Sequence, residues 1–168
     1  YCIRRAWLAD TGVRFWDDVR WAEEWPFDMR LLAQCKRLYF LDTVFVHYRV
    51  GRADSLLNDR KNLPGRFAAL AAEQRHLALL YAEHTVDEEV FAAMQDTAAD
   101  IFWPQARTAA VRDPEVRRAC LPGIRQMRPL YTHGTEVATR RDWRLFQTMM
   151  RLCGPRFTLW LAGLHHKN

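Results

Sequence analysis

Residues 22–49, AEEWPFDMRLLAQCKRLYFLDTVFVHYR, carry the signals that decide the fold class. Trp25, Met29, Leu32 and Cys35 recur at steps of four and three, which stacks them along one side of an α-helix, so a helix over 22–36 with that face buried is expected. Pro26 has no amide hydrogen to give and fits only in a first helical turn, which sets Glu23 and Glu24 at the helix N-terminus. Free backbone amides and the helix dipole favour ionised carboxylates there, so a plain capping role accounts for the pair without any chemistry. Residues 38–41 and 44–49 have strand composition around Asp42-Thr43, as a hairpin or as one bent strand. Alternation along the second of them sends Phe45, His47 and Arg49 to one face and Val44, Val46 and Tyr48 to the other.

Upstream, residues 4–10 have the pattern of a short helix stopped at Gly12, after which 13–15 run extended. Tyr1-Cys2-Ile3 reads as a short strand with nothing before it to pair with, and with no initiator Met the chain is expected to be a piece of a longer protein. Downstream, residues 50–55 carry Gly, Asp and Ser and read as a loop, and Leu63-Pro64-Gly65 marks a boundary between 1–62 and 63–168. Beyond it every segment has helical spacing. Helices are expected over 66–84, 87–111, 114–127 and 141–152, with a last one from Pro155. Asp87 and Asp113 are N-cap candidates, the latter followed by Pro114 at the first helical position, and Gly134 and Gly154 mark breaks. Connections this short favour antiparallel neighbours, hence a small bundle. The overall expectation is an α+β chain, mainly helical, with a short strand pair in its first third.

At 168 residues, 49% hydrophobic and 12% aromatic, the chain has the means to build a sizeable core. Arginine outnumbers lysine 22 to 3 and the net charge is +5, which suits an acidic partner such as a nucleotide, an anionic polymer or a membrane surface. Nine arginines against four acids fall between Asp113 and Arg156, so a basic surface is expected on the later helices, either as a binding face or as a merely solvated one. No nucleic-acid-reading motif accompanies these charges, and specific nucleic-acid binding is not expected. Cys2, Cys35, Cys120 and Cys153 are widely spaced, which signals neither a zinc site nor a disulfide framework and fits reduced thiols in the cytoplasm. There is no glycine-rich phosphate loop, HExxH or nucleophile elbow, and no apolar run approaches the ~20 residues of a membrane helix. Residues 157–164 are apolar enough to lie on a membrane surface, although docking on the core is the simpler expectation.

Read in order, Ile3-Arg4-Arg5-Ala6-Trp7-Leu8, Gly12-Val13-Arg14-Phe15, Glu23-Glu24-Trp25-Pro26-Phe27, Leu31-Leu32, Arg37-Leu38-Tyr39-Phe40-Leu41-Asp42 and His47-Tyr48-Arg49 with Ser55-Leu56 form a pattern. It resembles the C-terminal part of the catalytic domain of family-two nucleotide-sugar glycosyltransferases, which have the GT-A fold. The resemblance covers residues 2–57, about a third of the chain. It implies an inverting transferase that moves a sugar from a nucleotide-sugar donor to a polysaccharide, a teichoic-acid-like polymer or a lipid-linked acceptor. In such enzymes the second member of a Glu-Asp pair is the general base for the acceptor hydroxyl, and by position that residue is Glu24, with Glu23 beside it. His47, Arg49, Arg52 and Ser55 fall where the family binds the donor diphosphate. A divalent metal, Mg or Mn, would be held in the full-length parent by an Asp-x-Asp upstream of this chain, so the chain alone is expected to be inactive.

Two departures accompany the resemblance. Glu24 is one methylene longer than the usual Asp, and the nucleotide-binding half of the family's domain is absent. The arginine and alanine richness points to a GC-rich bacterial source, and the implied location is cytoplasmic, peripheral to the inner face of the membrane. Self-association is a further expectation, since apolar strand edges left bare would seek cover. The competing reading of the whole chain is a non-enzymatic helical module whose basic face binds an anionic partner.

Overall fold

The structure is a computed structural model, and it describes residues 2–40, 42, 43, 47, 62–131 and 141–165. Among these, six α-helices run in the order α1 (Arg5–Thr11), α2 (Glu24–Gln34), α3 (Leu63–Ala82), α4 (Glu88–Ala110), α5 (Pro114–Gln126) and α6 (Arg141–His165), with a 3-10 turn at Arg128–Tyr131 before α6. The expected α+β class with a GT-A strand pair is overturned, because no strand and no sheet occurs among the described residues. Cys2, Ile3, Leu38, Tyr39 and Phe40 are irregular rather than extended in a ladder, and the remainder of the second expected strand, apart from His47, lies outside the described residues. The reason is physical. Strand composition is a preference for a half-buried pleated surface and needs a partner to hydrogen-bond, and these residues find none among the described residues. Phe40 is 89% exposed.

The helices form for reasons that are mostly local. Asp87 caps α4 by accepting a hydrogen bond from the Val90 amide at 2.8 Å, and Glu88 and Glu89 in the first turn and Arg107 in the last complement the dipole. Asp113 caps α5, accepting from the amides of Glu115 and Val116 at 3.0 Å each, with Pro114 at the position where a missing N–H costs nothing. The hydrogen bond from Val116 is the main cause that holds the Asp113 carboxyl below its usual range. Leu63, Pro64 and Gly65 form the first turn of α3, so this helix begins three residues before the expected Arg66. Gly12 ends α1 in the left-handed conformation at φ 67°. Gly154 (φ 75°, ψ 168°) breaks α6 into two segments, and Pro155 restarts the second, as the sequence led us to expect.

Helices α3 to α6 share one core. α3 and α4 run antiparallel: Phe67 meets the edge of Phe102 with ring centroids 5.7 Å apart, and Arg66 Nη1 donates to Gln105 Oε1 at 3.0 Å. Trp103, Trp143 and Phe146 join Phe102 in an aromatic cluster between α4 and α6, with centroid separations of 4.7 to 6.4 Å. Ala98, Ala99, Ala106, Ala109 and Ala110 keep the α4 surface flat enough for close packing. Trp21 and Trp25 pack the connection 12–23 and α2 against this core, and Val13, Val19 and Leu31 are buried in the same N-terminal region. The buried positions of α2 are Pro26 and Leu31, not the expected stripe, and Leu32 is 48% exposed. Periodicity located the helix but not the side it turns inward.

Two glycines set the closeness of the helices. A methyl group at Gly123 would stand 2.7 Å from Phe67 Cβ and 2.8 Å from the Phe67 carbonyl carbon on α3. One at Gly163 would overlap the Ala110 carbonyl oxygen on α4 and reach 3.1 Å from Arg117 Nη1. For Gly163→Ala, helix propensity favours the variant by about 1 kcal/mol. The clash is with backbone, which cannot rotate away, and overpacking of this kind costs about 1–3 kcal/mol. The clash wins, and denaturant melts should show Gly163→Ala less stable than the parent.

Candidate functional site

Glu23 and Glu24 stand where the sequence placed them, at the start of α2. Glu23 holds the N-cap position and Glu24 the first helical turn, both exposed, and neither side chain caps the helix. That separates them from Asp87 and Asp113, whose carboxylates are engaged by amides. Ala22, immediately before the pair, is in the left-handed region at φ 54°, a conformation that costs a non-glycine residue about 1 kcal/mol or more. This turn lifts the two carboxylates off the preceding loop and sets the direction in which α2 leaves. His47 is exposed and lies in no strand. No hydrogen bond or ion pair among the described residues joins it to Glu24. Arg49, Arg52 and Ser55 lie outside the described residues.

Beneath Glu24 sits a residue that the sequence reading missed. Glu73 of α3 is 0% exposed and neither of its carboxyl oxygens has a partner among the described residues. Burial, with the charge of nearby Glu24 as a second cause, pushes its carboxyl up to about 9, so Glu73 is protonated at neutral pH. The available signal was register: Arg66, Leu70, Glu73 and Leu77 recur on one buried face of α3, which puts an acid at a core position. Gln74 on the same helix and Gln95 on α4 are also buried with unpaired amide atoms. The antiparallel register that pairs Arg66 with Gln105 brings Gln95 within about a turn of Glu73 along the α3–α4 seam.

Beside the carboxylates, a stack of three side chains fastens the N-terminal region to the bundle. Arg30 of α2 lies 4.5 Å over the Trp16 ring, and Trp16 stacks on His76 of α3 with centroids 4.4 Å apart and planes 12° from parallel. His76 Nε2 is 2.6 Å from Asp18 Oδ1, and Arg75 Nη2 is 3.8 Å from Asp18 Oδ2. The hydrogen bond to His76 is the largest cause lowering the Asp18 carboxyl. Its stabilising contribution is therefore present above the unfolded carboxylate range near 3.8 and is lost as pH falls through the lower folded value. Asp18→Asn should cost less than about 1 kcal/mol in global stability, since the pair is half exposed. Amide exchange should instead quicken in residues 13–21 while the α3–α6 core stays protected.

A second surface was legible only as an excess of charge. Between α5 and α6 runs an open groove of about 910 Å³. Arg117, Arg118 and Arg125 line it from α5 and Arg156 from α6, around an apolar floor that includes Leu121 and Leu159 and beside Phe157 and Trp160. Four of the nine arginines expected to form a basic face thus converge on one depression. No group of three or more His, Cys, Asp or Glu side chains that could hold a metal ion comes together among the described residues. All four cysteines are free, and burial pushes the Cys120 thiol up to about 11. No helix of the described residues is long and apolar enough to cross a membrane. Comparison of the chain with protein-family models, with curated proteins and with solved structures gives no match.

Proposed function

We propose that this chain belongs to an inverting, nucleotide-sugar-dependent glycosyltransferase acting on a cell-envelope polymer or glycolipid, and that it supplies the acceptor side of the catalytic centre. The observation that carries the reading is Glu24: an exposed carboxylate at the head of α2, not consumed as a cap, standing within the ordered series of motifs that gives residues 2–57 their resemblance. In the reaction, the acceptor hydroxyl gives its proton to the Glu24 carboxylate as its oxygen bonds to the anomeric carbon. The bond from that carbon to the donor diphosphate breaks on the opposite face, and the electron pair leaves with the nucleoside diphosphate. His47, Arg49, Arg52 and Ser55 are assigned to the leaving diphosphate on the strength of the resemblance alone.

The strand pair forms no part of this proposal. Leu38, Tyr39 and Phe40, at 56%, 77% and 89% exposure, are the apolar run on which a nucleotide-binding half would seat. In the proposed transferase, a thermal melt with UDP, GDP, CDP and dTDP tests the reading. A cognate nucleoside diphosphate at a hundred times its dissociation constant adds about 2.7 kcal/mol of stability, and the melting point rises accordingly. No rise with any of the four would count against a nucleotide-sugar donor.

The groove between α5 and α6 favours a second reading for the helical region, that of a surface holding an anionic partner. Four arginine side chains around one depression are costly to bring together unless a negative charge neutralises them.

A further inference from the structure

After the break at Gly154, the last helical segment is apolar on both of its sides. Thr158, Leu159 and Gly163 are buried, and Ala162 packs partly against the core. Phe157, Trp160, Leu161 and Leu164, at 46%, 47%, 37% and 44% exposure, follow the spacing i, i+3, i+4, i+7. At 100° per residue these four fall within an arc of about 100°, centred opposite the buried residues and free of any charge. The expected docking of this segment on the core is met by one side of it, and the other side is an apolar stripe without a partner among the described residues. Across the groove stand Arg118 and Arg125, with Arg156 at the stripe's own border.

We propose that this stripe and its arginine rim dock on an anionic lipid bilayer, with Phe157, Trp160, Leu161 and Leu164 entering the interface and the guanidinium groups meeting lipid phosphates. The inference rests on the reading of the groove as a site for an anionic partner and is independent of the transferase reading. Charge complementarity selects the occupant. A second copy related by a two-fold axis would set one arginine rim against the other. A water-soluble polyanion would neutralise the rim and leave the stripe in water. A bilayer with anionic headgroups satisfies both, the phosphates at the depth of the arginines and the acyl boundary at the depth of the rings.

The test is co-sedimentation of the full chain with vesicles of phosphatidylcholine alone or mixed with phosphatidylglycerol, with soluble polyphosphate as competitor. Two variants accompany it. In one, Arg118, Arg125 and Arg156 are changed to Gln, leaving Arg117, which packs beside Gly163. In the other, Phe157 and Trp160 are changed to Ser, at exposed sites where circular dichroism should show an unaltered helical fold. Binding to the anionic vesicles should exceed binding to neutral ones by about a hundredfold, fall with salt, and drop at least about tenfold in each variant. Anionic-vesicle binding that ignores the Phe157/Trp160 change, or polyphosphate binding without vesicle binding, would overturn the bilayer and leave the anionic-partner reading in place. Binding to neither probe would remove both.

Discussion

Glu73→Met should make the protein more stable at neutral pH, by about 3 kcal/mol, and should flatten its stability against pH. Glu73 is fully buried without a partner among the described residues, and burial pushes its carboxyl up to about 9 in the folded chain against 4.5 for an ordinary glutamate. Between those values the folded chain holds a proton that the unfolded chain has released. Stability from this group is therefore complete below about pH 4.5 and declines as pH rises, with a slope approaching 1.4 kcal/mol per unit, until the folded carboxyl ionises near 9. Methionine fills a similar volume and carries no proton to lose. Glu73→Gln should flatten the same profile while gaining less, because the amide is still a buried polar group in need of partners. Urea melts at intervals from pH 5 to 9 read both effects. A profile for the parent that rises across this range, or one unchanged in Glu73→Met, would mean that the carboxyl is not held neutral in the core.

Register with Arg66, Leu70 and Leu77 was the one signal for Glu73, and it was not enough by itself, because which face of an Ala- and Leu-rich helix turns inward depends on distant partners. The features that were legible are local. Asp87, and Asp113 followed by Pro114, announce their helices since an N-cap contact spans three residues, and Gly12 and Gly154 stop or break a helix through their own φ. What depended on distant partners was lost or misread. Residues 38–40 have strand composition with no neighbouring strand among the described residues to use it, and Trp25, Met29, Leu32 and Cys35 mark a helix whose inward side is set by what it packs against. The same limit applies to the basic face. Nine arginines are countable along the chain, but that Arg117, Arg118 and Arg125 meet Arg156 follows from the packing of α5 on α6. At the candidate centre, the place of Glu23 and Glu24 was legible from Pro26 alone, whereas the carboxyl beneath them was not.

The central claim concerns Glu24, and it carries the largest effect on activity. A positioned general base contributes about 100- to 10,000-fold to a rate, so Glu24→Gln in the proposed transferase should lower sugar transfer by at least about 100-fold. Gln keeps the size of the side chain but has no basic oxygen to receive the proton. Donor binding should survive, because the role proposed for Glu24 is toward the acceptor. Fold should survive as well, because the side chain is exposed and caps nothing. Glu24→Asp separates spacing from basicity, since a displacement of about 1 Å costs up to about 100-fold where the geometry is adapted to the longer side chain. The decisive measurement is acceptor-dependent nucleotide release, with the glycosylated product weighed by mass spectrometry, for the parent and for Glu24→Gln at saturating donor. The account predicts transfer by the parent and near-abolition in the variant with donor affinity kept. Transfer by Glu24→Gln at the parent's rate would contradict it and take the base role from Glu24.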